Sequence, residues 1–394
     1  MAQQSSKFPR EGMIDAELFS ILREQTKNDA WVRNLTIMNM SHDYPSIAIK
    51  LYTEFLETDM GQLHEFQGLL KLEREAIHML VDFFGDPSAT GDVTSGGTEG
   101  NILAMRAAKK LHPKTKPNMV APVTAHPSFD KGAELMGIEL RRVPVNHESW
   151  IVDPKAMEEK IDENTVGLIA SCGTAGEGVI DPIPEVAKIA KRHDVCLHVD
   201  AAWGGFICPF WKELGMSGIP DFDFGLDGVT TISADPHKML AVPMSCGGIF
   251  FKTQEIREKV VFNLNMGGVK YTNPGIIGSR SGAPSVALWG VIKSLGYKGF
   301  LETARITLRV TQELIDGVKS IPGLGILVDP KINLVAITTK LPVNKVYSAM
   351  WNRGWKMYAL TEDPSCFRLI PMPQVAPSVG RFLDDLRNVV KEMS

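Results

Sequence analysis

The feature that most constrains this chain is a rhythm between residues 118 and 251. Short apolar runs alternate there with stretches of helical spacing. "NMVAPV" (118–123), "VGLIAS" (166–171), "VCLHVD" (195–200), "GVTTIS" (228–233) and "GGIFF" (247–251) each read as a buried strand. Between them, 128–136, 154–160 and 184–193 carry helical periodicity. Apolar runs of this kind suit strands covered on both faces. Their alternation with helices implies an α/β fold built on a mostly parallel, doubly wound sheet. Helices are expected over 15–30, 45–58 and 69–80. After the Gly/Pro-rich piece "NMGGVKYTNPGIIGSRSGAPS" (265–285), a helical region runs to about 320. Strands at 325–328 and 333–338 and a helix at 377–392 follow. A chain of 394 residues exceeds what one core usually serves. The expected division is an N-terminal helical segment (1–55), a large domain (56–290) and a small C-terminal α/β domain (291–394).

Composition removes several classes of function. The net charge is -4, which offers no bulk basic surface for nucleic acid. No apolar run approaches the roughly 18 residues that a membrane helix needs. The first residues, "MAQQSSKFPREGMIDAEL", lack the apolar core of a secretory signal. Cys172, Cys196, Cys208, Cys246 and Cys366 are scattered and form no CxxC pair. Neither a metal site nor a disulfide framework is indicated, and a reducing cytoplasm fits best.

In open α/β sheets, ligands bind beyond the carboxyl ends of the strands. Polar residues gather at four such ends: His126 after 118–123, Gly173 and Thr174 after 166–171, Asp200 closing 195–200, and Lys238 after 228–233. A lysine following an interior strand, in "TTISADPHKML", is unusual, although by itself it reads equally as a loop lysine. "TSGGTEGN" (94–101) places Ser95, Gly96, Gly97 and Thr98 at the start of a helix. Backbone N–H groups and hydroxyls there suit an anion. The stretch is neither a Walker A motif nor a GxGxxG fingerprint. Asp200, in "HVDAAWGG", is a carboxylate at a buried strand end and is costly without a partner. A cationic heterocycle would supply that partner, and Ala201 and Ala202 would let a flat ring lie against the backbone. His126, in "VTAHPSFDKG", could stack on such a ring. Singly, these residues read as a helix cap, a capping Asp and a loop histidine. Together they describe a pyridoxal 5'-phosphate site, with Lys238 condensed onto the cofactor aldehyde.

The blocks "VTSGGTEGN", "TAHPSFDKG", "GTAGEGVIDP", "HVDAAWGG" and "SADPHKM", in this order, resemble the group II pyridoxal-phosphate decarboxylases. The similarity runs from about residue 56 to the end and is strongest to short archaeal L-tyrosine/L-aspartate decarboxylases. It implies fold type I (aspartate-aminotransferase-like) and decarboxylation of an L-amino acid of the tyrosine or aspartate/glutamate class. By this resemblance, Lys238 bears the cofactor and His237 neighbours its phosphate or imine. Asp200 pairs the pyridinium nitrogen, Ala202 packs under the ring, His126 stacks above it, and Thr174 lies near the phenolic oxygen. Ser95, Gly96 and Ser233 contact the phosphate, with Gly97 and Thr98 completing the cup. Ser279, in "IIGSRSG", would reach the partner subunit's phosphate, which implies a homodimer with shared active sites. Arg368, in "CFRLIPMP", would receive the substrate carboxylate, and Tyr271, on a Gly/Pro-rich loop, is the candidate proton donor.

The chain is also similar to sphingosine-phosphate lyases. "KYTNPGIIGSRSG" and "KSLGYKGFLE" lie nearer their pattern, which keeps C–C cleavage of a phosphorylated amino alcohol as the alternative. Three features favour decarboxylation: the compact "CGTAGEGVIDP", "DPHKM" in place of Thr before the His, and Arg368 itself. Ala175 and Gln374 depart from the decarboxylase pattern, where Thr and His are usual, so the amino acid stays open. His42, Arg280 and Lys270 could supply charge for it.

Overall fold

The computed structural model describes residues 8–29, 32–61, 65–362 and 364–394. Residues 1–7, 30 and 31 of the expected N-terminal segment, and 62–64 of the expected large domain, lie outside the described residues. The first strand, β1 (Ile37–Met38), is a two-residue bridge. Seven strands then build the central sheet: β2 (Thr90–Thr94), β3 (Asn118–Pro122), β4 (Glu139–Val143), β5 (Thr165–Ser171), β6 (Cys196–Asp200), β7 (Val229–Ala234) and β8 (Gly247–Phe251). Their order is β2-β8-β7-β6-β5-β3-β4, and only β8 runs against the others.

The five strands expected from apolar runs are present within a residue or two of those bounds. β3, β5, β6 and β8 are buried along their whole length, which is why each reads as a continuous apolar run. β2 and β4 were not expected. They are the two edges of the sheet, where one side is open, and they carry Asp92, Arg141 and Arg142. Asp92 is held by both Nε and Nη2 of Arg257, at 2.7 and 2.6 Å. An edge strand built on charged side chains gives no apolar signal.

β9 (Phe262–Met266) and β10 (Val269–Asn273) form a separate antiparallel hairpin within the Gly/Pro-rich region. β11 (Leu324–Ile326), β12 (Val335–Thr339), β14 (Ala359–Glu362) and β15 (Ser365–Leu369) make a four-stranded sheet in the order β11-β12-β15-β14. The two-residue β13 (Lys356–Met357) pairs with β1, so the N-terminal segment is stitched to the C-terminal part of the chain. Helices Val343–Asn352 and Val379–Met393 cover this smaller sheet. The long helix Ala283–Lys319 spans both parts and bends at Gly296, whose φ of 58° is left-handed. The first half of that helix packs on Ser46–Glu54 so closely that a Cβ at Gly290 would fall 2.0 Å from Leu51 Cδ1.

One large apolar cluster fills the space around the central sheet. A second, from Val310 to Val390 with Met38, lies under the smaller one. Among the described residues, no helix is long and apolar enough to cross a membrane.

Candidate active site

At the carboxyl edge of the central sheet lies a cavity of about 290 Å³. Thr124 and His126 reach it from the turn after β3, and Ser171, Gly173, Thr174 and Ala175 from the end of β5. Asp200, Ala202 and Trp203 come from the end of β6, and Asp235, His237 and Lys238 from the end of β7. Ser95, Gly96, Gly97, Thr98 and Asn101 enter from the β2–helix junction, and Met40 from the N-terminal segment. Ten of the residues expected at the cofactor therefore share one cavity: Ser95, Gly96, Gly97, Thr98, His126, Thr174, Asp200, Ala202, His237 and Lys238.

Asp200 is 7% exposed. Its Oδ2 accepts from Asn101 Nδ2 at 2.9 Å, and its Oδ1 accepts from the Ala202 N–H at 3.1 Å. The Ser233 hydroxyl lies 3.4 Å from Oδ1. No cation among the described residues forms an ion pair with it. A buried carboxylate held only by neutral donors is an incomplete arrangement. A protonated ring nitrogen completes it, so the residues fit the cofactor that the strand-end pattern implies. The Thr124 hydroxyl, buried on the cavity wall, is a second polar group there, with no partner among the described residues.

Lys238 Nζ lies 3.0 Å from Asp235 Oδ2 and 5.4 Å from the centre of the Trp203 ring. Asp235 is 2% exposed, and its Oδ1 has no hydrogen-bond partner. Glycine is required opposite it: a Cβ at Gly97 would sit 2.9 Å from Asp235 Oδ2 and 3.0 Å from Ala202 Cβ. His237 Nδ1 donates to the Cys246 carbonyl at 2.7 Å. Burial holds His237 below the usual histidine range, opposed by the Asp235 carboxylate and aided by Lys238. Glu99 ties the cup to the chain beyond the hairpin. Its Oε2 accepts from the Ser95 N–H at 2.7 Å, and its Oε1 from the N–H groups of Ile276 and Ile277 at 2.7 and 3.3 Å.

Four expected residues do not line the cavity. Ser233 is fully buried, and its hydroxyl donates to Asn101 Oδ1 at 2.6 Å, which seats it beneath Asp200 instead of in the cup. Tyr271 stands on β10 at 39% exposure, its hydroxyl accepting from Asn273 Nδ2 at 3.2 Å. Ser279 is exposed on the segment after the hairpin. Arg368, on β15, donates from Nε to the Gly176 carbonyl at 2.7 Å, so it grips the loop whose Thr174 and Ala175 line the cavity. Of the three further charges considered, Arg280 is engaged by Glu73 at 2.7 Å. His42 is pushed down to about 4, chiefly by burial, with the Lys238 backbone opposing and His237 adding to the shift, and lines a separate cavity. The side chain of Lys270 lies outside the described residues.

Sequence reasoning passed over Asn101, Asp235, Thr124, Glu99, Met40 and Trp203. All but Met40 fall inside or beside the quoted blocks. Asp235 and Glu99 have neighbours within one turn, Lys238 and the Ser95 N–H, but the contacts of Asn101 are all long-range, and no spacing rule gives it a partner.

Comparison with known proteins agrees with this geometry. A family model described as the pyridoxal-dependent decarboxylase conserved domain matches residues 10–340. A probable L-aspartate decarboxylase of Thermococcus gammatolerans is 36% identical over 387 residues, covering 98% of this chain and 100% of that protein. The L-aspartate/L-glutamate decarboxylase of Pyrococcus horikoshii is 35% identical over 390 residues, with the same coverage. Among solved structures, the sphingosine-1-phosphate lyase of Burkholderia pseudomallei superposes with a TM-score of 0.90 at 29% identity, covering 98% of this chain and 93% of that one. The fold and cavity are those of a fold type I pyridoxal-phosphate enzyme. The chain belongs to the pyridoxal-dependent decarboxylase family, and its reaction is the cofactor-dependent decarboxylation of an amino acid.

Proposed function

We propose that the chain removes the α-carboxylate of a short acidic L-amino acid, L-aspartate foremost, and releases the amine and CO2. The observation that carries this reading is the small cavity with Arg368 gripping its loop. At about 290 Å³ it lies at the lower end of ordinary small-molecule sites, roughly 300–1,000 Å³. With the cofactor inside, a compact amino acid suits it better than a long chain. The names of the Thermococcus and Pyrococcus relatives point to the same substrate class.

The bound cofactor supplies an electron-withdrawing ring that takes up the pair left as CO2 departs. The rest falls to this chain. Lys238 would hold the cofactor, and Asp235, 3.0 Å from its Nζ, would receive the lysine ammonium once the substrate amine takes its place. Asp200 keeps the ring nitrogen protonated. His126, Ala202 and Thr174 would hold the ring, His126 by stacking, Ala202 by packing and Thr174 through its hydroxyl. Ser95 to Thr98, with His237, hold the phosphate. Among the described residues Arg368 forms no ion pair, which leaves its terminal N–H groups for a planar carboxylate. Tyr271 delivers the proton to Cα when the hairpin closes over the cavity.

The same reading makes the enzyme a homodimer. Helix Asp15–Thr26 buries none of its residues, although Leu18, Phe19, Ile21 and Leu22 are 43–54% exposed. Such a face seeks cover, and a second copy would bring Ser279 to a neighbouring cup. We take residues 56–290 as the cofactor-binding domain, 291–394 as the small domain and 1–55 as the arm. Five buried free thiols suit the reducing cytoplasm.

One observation favours a second reading. The similarity to the Burkholderia lyase supports C–C cleavage of a phosphorylated long-chain amino alcohol. Measuring CO2 and aldehyde release from both substrate types decides the matter. CO2 from aspartate, with the cognate amine, is expected. Aldehyde from the amino alcohol without CO2 from any amino acid overturns the proposal.

A further inference from the structure

Asn101 lies just over one turn into the helix Gly97–Leu111 and is 1% exposed. Its amide meets four side chains from three other elements. Nδ2 donates to Asp200 Oδ2 and to Ser128 Oγ, both at 2.9 Å. Oδ1 accepts from Ser233 Oγ at 2.6 Å and from His198 Nε2 at 3.0 Å. A primary amide has two N–H donors and two acceptor lone pairs, and here all four are used. Close packing makes the reach possible: a Cβ at the preceding Gly100 would fall 3.1 Å from Ser233 Cβ and 3.3 Å from the Gly248 carbonyl oxygen.

These bonds fix proton positions on both sides. An ionised carboxylate only accepts, so the amide must turn its N–H2 toward Asp200. His198 then carries its proton on Nε2, and its Nδ1, 2.9 Å from the Thr231 hydroxyl, accepts. Burial holds His198 neutral, down to about 4. On the other side, Ser128 Oγ accepts from Asn101 and directs its own hydrogen to His126 Nδ1 at 2.9 Å. His126 Nδ1 also accepts from the Ser128 N–H at 3.1 Å. Neutral His126 therefore presents N–H at Nε2, the nitrogen away from this contact.

We propose that Asn101 is a positioning residue that sets the carboxylate of Asp200 and the tautomer of His126 together. The inference rests on the reading of those two residues as the groups at the ring nitrogen and over the ring face. The connection runs Asp200–Asn101–Ser128–His126. A single amide thus governs both groups without touching the reacting bond.

The test uses the full-length enzyme, stripped of cofactor and titrated with pyridoxal 5'-phosphate, which is followed by visible absorbance and circular dichroism. Losing a hydrogen bond to a charged group should weaken cofactor binding by about 10- to 100-fold in Asn101→Ala. The visible dichroism should change as the ring loses its fixed tilt. Ser128→Ala breaks only the His126 arm. It should alter the dichroism with a smaller loss of affinity, and it should add little in the Asn101→Ala background. Asn101→Asp keeps the shape but sets a second carboxylate against Asp200, so cofactor affinity should fall more at pH 8 than at pH 6. That variant keeps the test open if Asn101→Ala does not fold. The proposal fails if Asn101→Ala binds cofactor within about twofold of wild type with unchanged dichroism. It fails equally if the Asn101→Ala and Ser128→Ala effects simply multiply, or if the Asn101→Asp loss is independent of pH. Failure of the Asp200 assignment itself would show separately, as an Asp200→Asn enzyme with normal turnover.

Discussion

Two regions around the cavity are built differently: the packed sheet wall and, outside the cavity lining, the exposed hairpin with the segment after it, an outer wall. On the sheet side, Asp200, Ser233, His198 and Asn101 are 0–7% exposed and hydrogen-bonded to one another. On the outer side, Tyr271 is 39% exposed, with Phe262, Leu264, Ile276 and Ile277 between 44 and 52%. Glu99 is the strut between them, touching Ser95 on one side and the Ile276 backbone on the other. The sheet wall is fixed by this chain's own core, because strand ends cannot move without unpacking the strands. The outer wall has few such constraints and takes its final shape from whatever covers it.

The sharpest way to break this comparison is at Lys238. Lys238→Ala should abolish turnover and the visible absorbance of cofactor held through the lysine, since among the described residues no other lysine lines the cavity. Full activity would remove the sheet wall from the chemistry altogether. Asp200→Asn, on the same wall, should keep cofactor yet lose several orders of magnitude in kcat, because an amide cannot stabilise a protonated ring nitrogen. A rate within about threefold of wild type would show that the buried carboxylate serves the fold alone.

The same contrast explains what could be read from sequence. Lys238, Asp200, His126 and Thr174 follow buried apolar strands, and parallel topology brings every such end to one edge. Those positions were legible from period and order alone. Tyr271, Ser279 and Arg368 sit on a hairpin, an exposed segment and a second sheet, and no periodicity relates them to the cavity. The edge strands β2 and β4 escaped for the opposite reason, since solvent on one side lets Asp92, Arg141 and Arg142 interrupt the apolar run. Asn101 lay in plain view within "TSGGTEGN", yet its four partners are 27, 97, 99 and 132 residues away in sequence.

Arg368 reaches from the small sheet to the loop beside the cavity and tests whether that part of the chain contributes to catalysis. Arg368→Met should raise KM and lower kcat for the amino acid, with a combined loss of roughly 30- to several-thousand-fold, as for a broken charge-assisted pair. Cofactor binding should survive. An unaffected kcat/KM would confine Arg368 to its hydrogen bond with Gly176.

Tyr271→Phe addresses the outer wall. Loss of a general acid should cost about 100-fold in kcat, with cofactor affinity preserved. If that wall is completed by a second copy, mixing inactive Lys238→Ala and Tyr271→Phe chains should restore activity, because the hybrid holds one site free of both changes. No restoration would mean that each site is complete within its own chain.

The smallest expected effect lies in stability, and again on the sheet wall. Burial pushes His198 down to about 4 from the usual 6.5. The folded protein thus binds fewer protons than the unfolded chain between those values. The sign follows: stability is full above pH 6.5 and is lost as pH falls toward 4, by about 3 kcal/mol for this one group. His42, also held near 4, acts in the same direction. Asp181, pushed up to about 7 mainly by burial, acts in the opposite direction over much of that range, since stability falls as pH rises toward its value. The informative quantity is therefore the difference between wild type and His198→Gln, with unfolding free energy measured by denaturant from pH 4.5 to 7.5. The variant should be less stable at neutral pH, having lost its bonds to Asn101 and Thr231, and should lose less on acidification. Parallel curves would mean that the sheet wall admits a proton without penalty and is far more yielding than its packing implies.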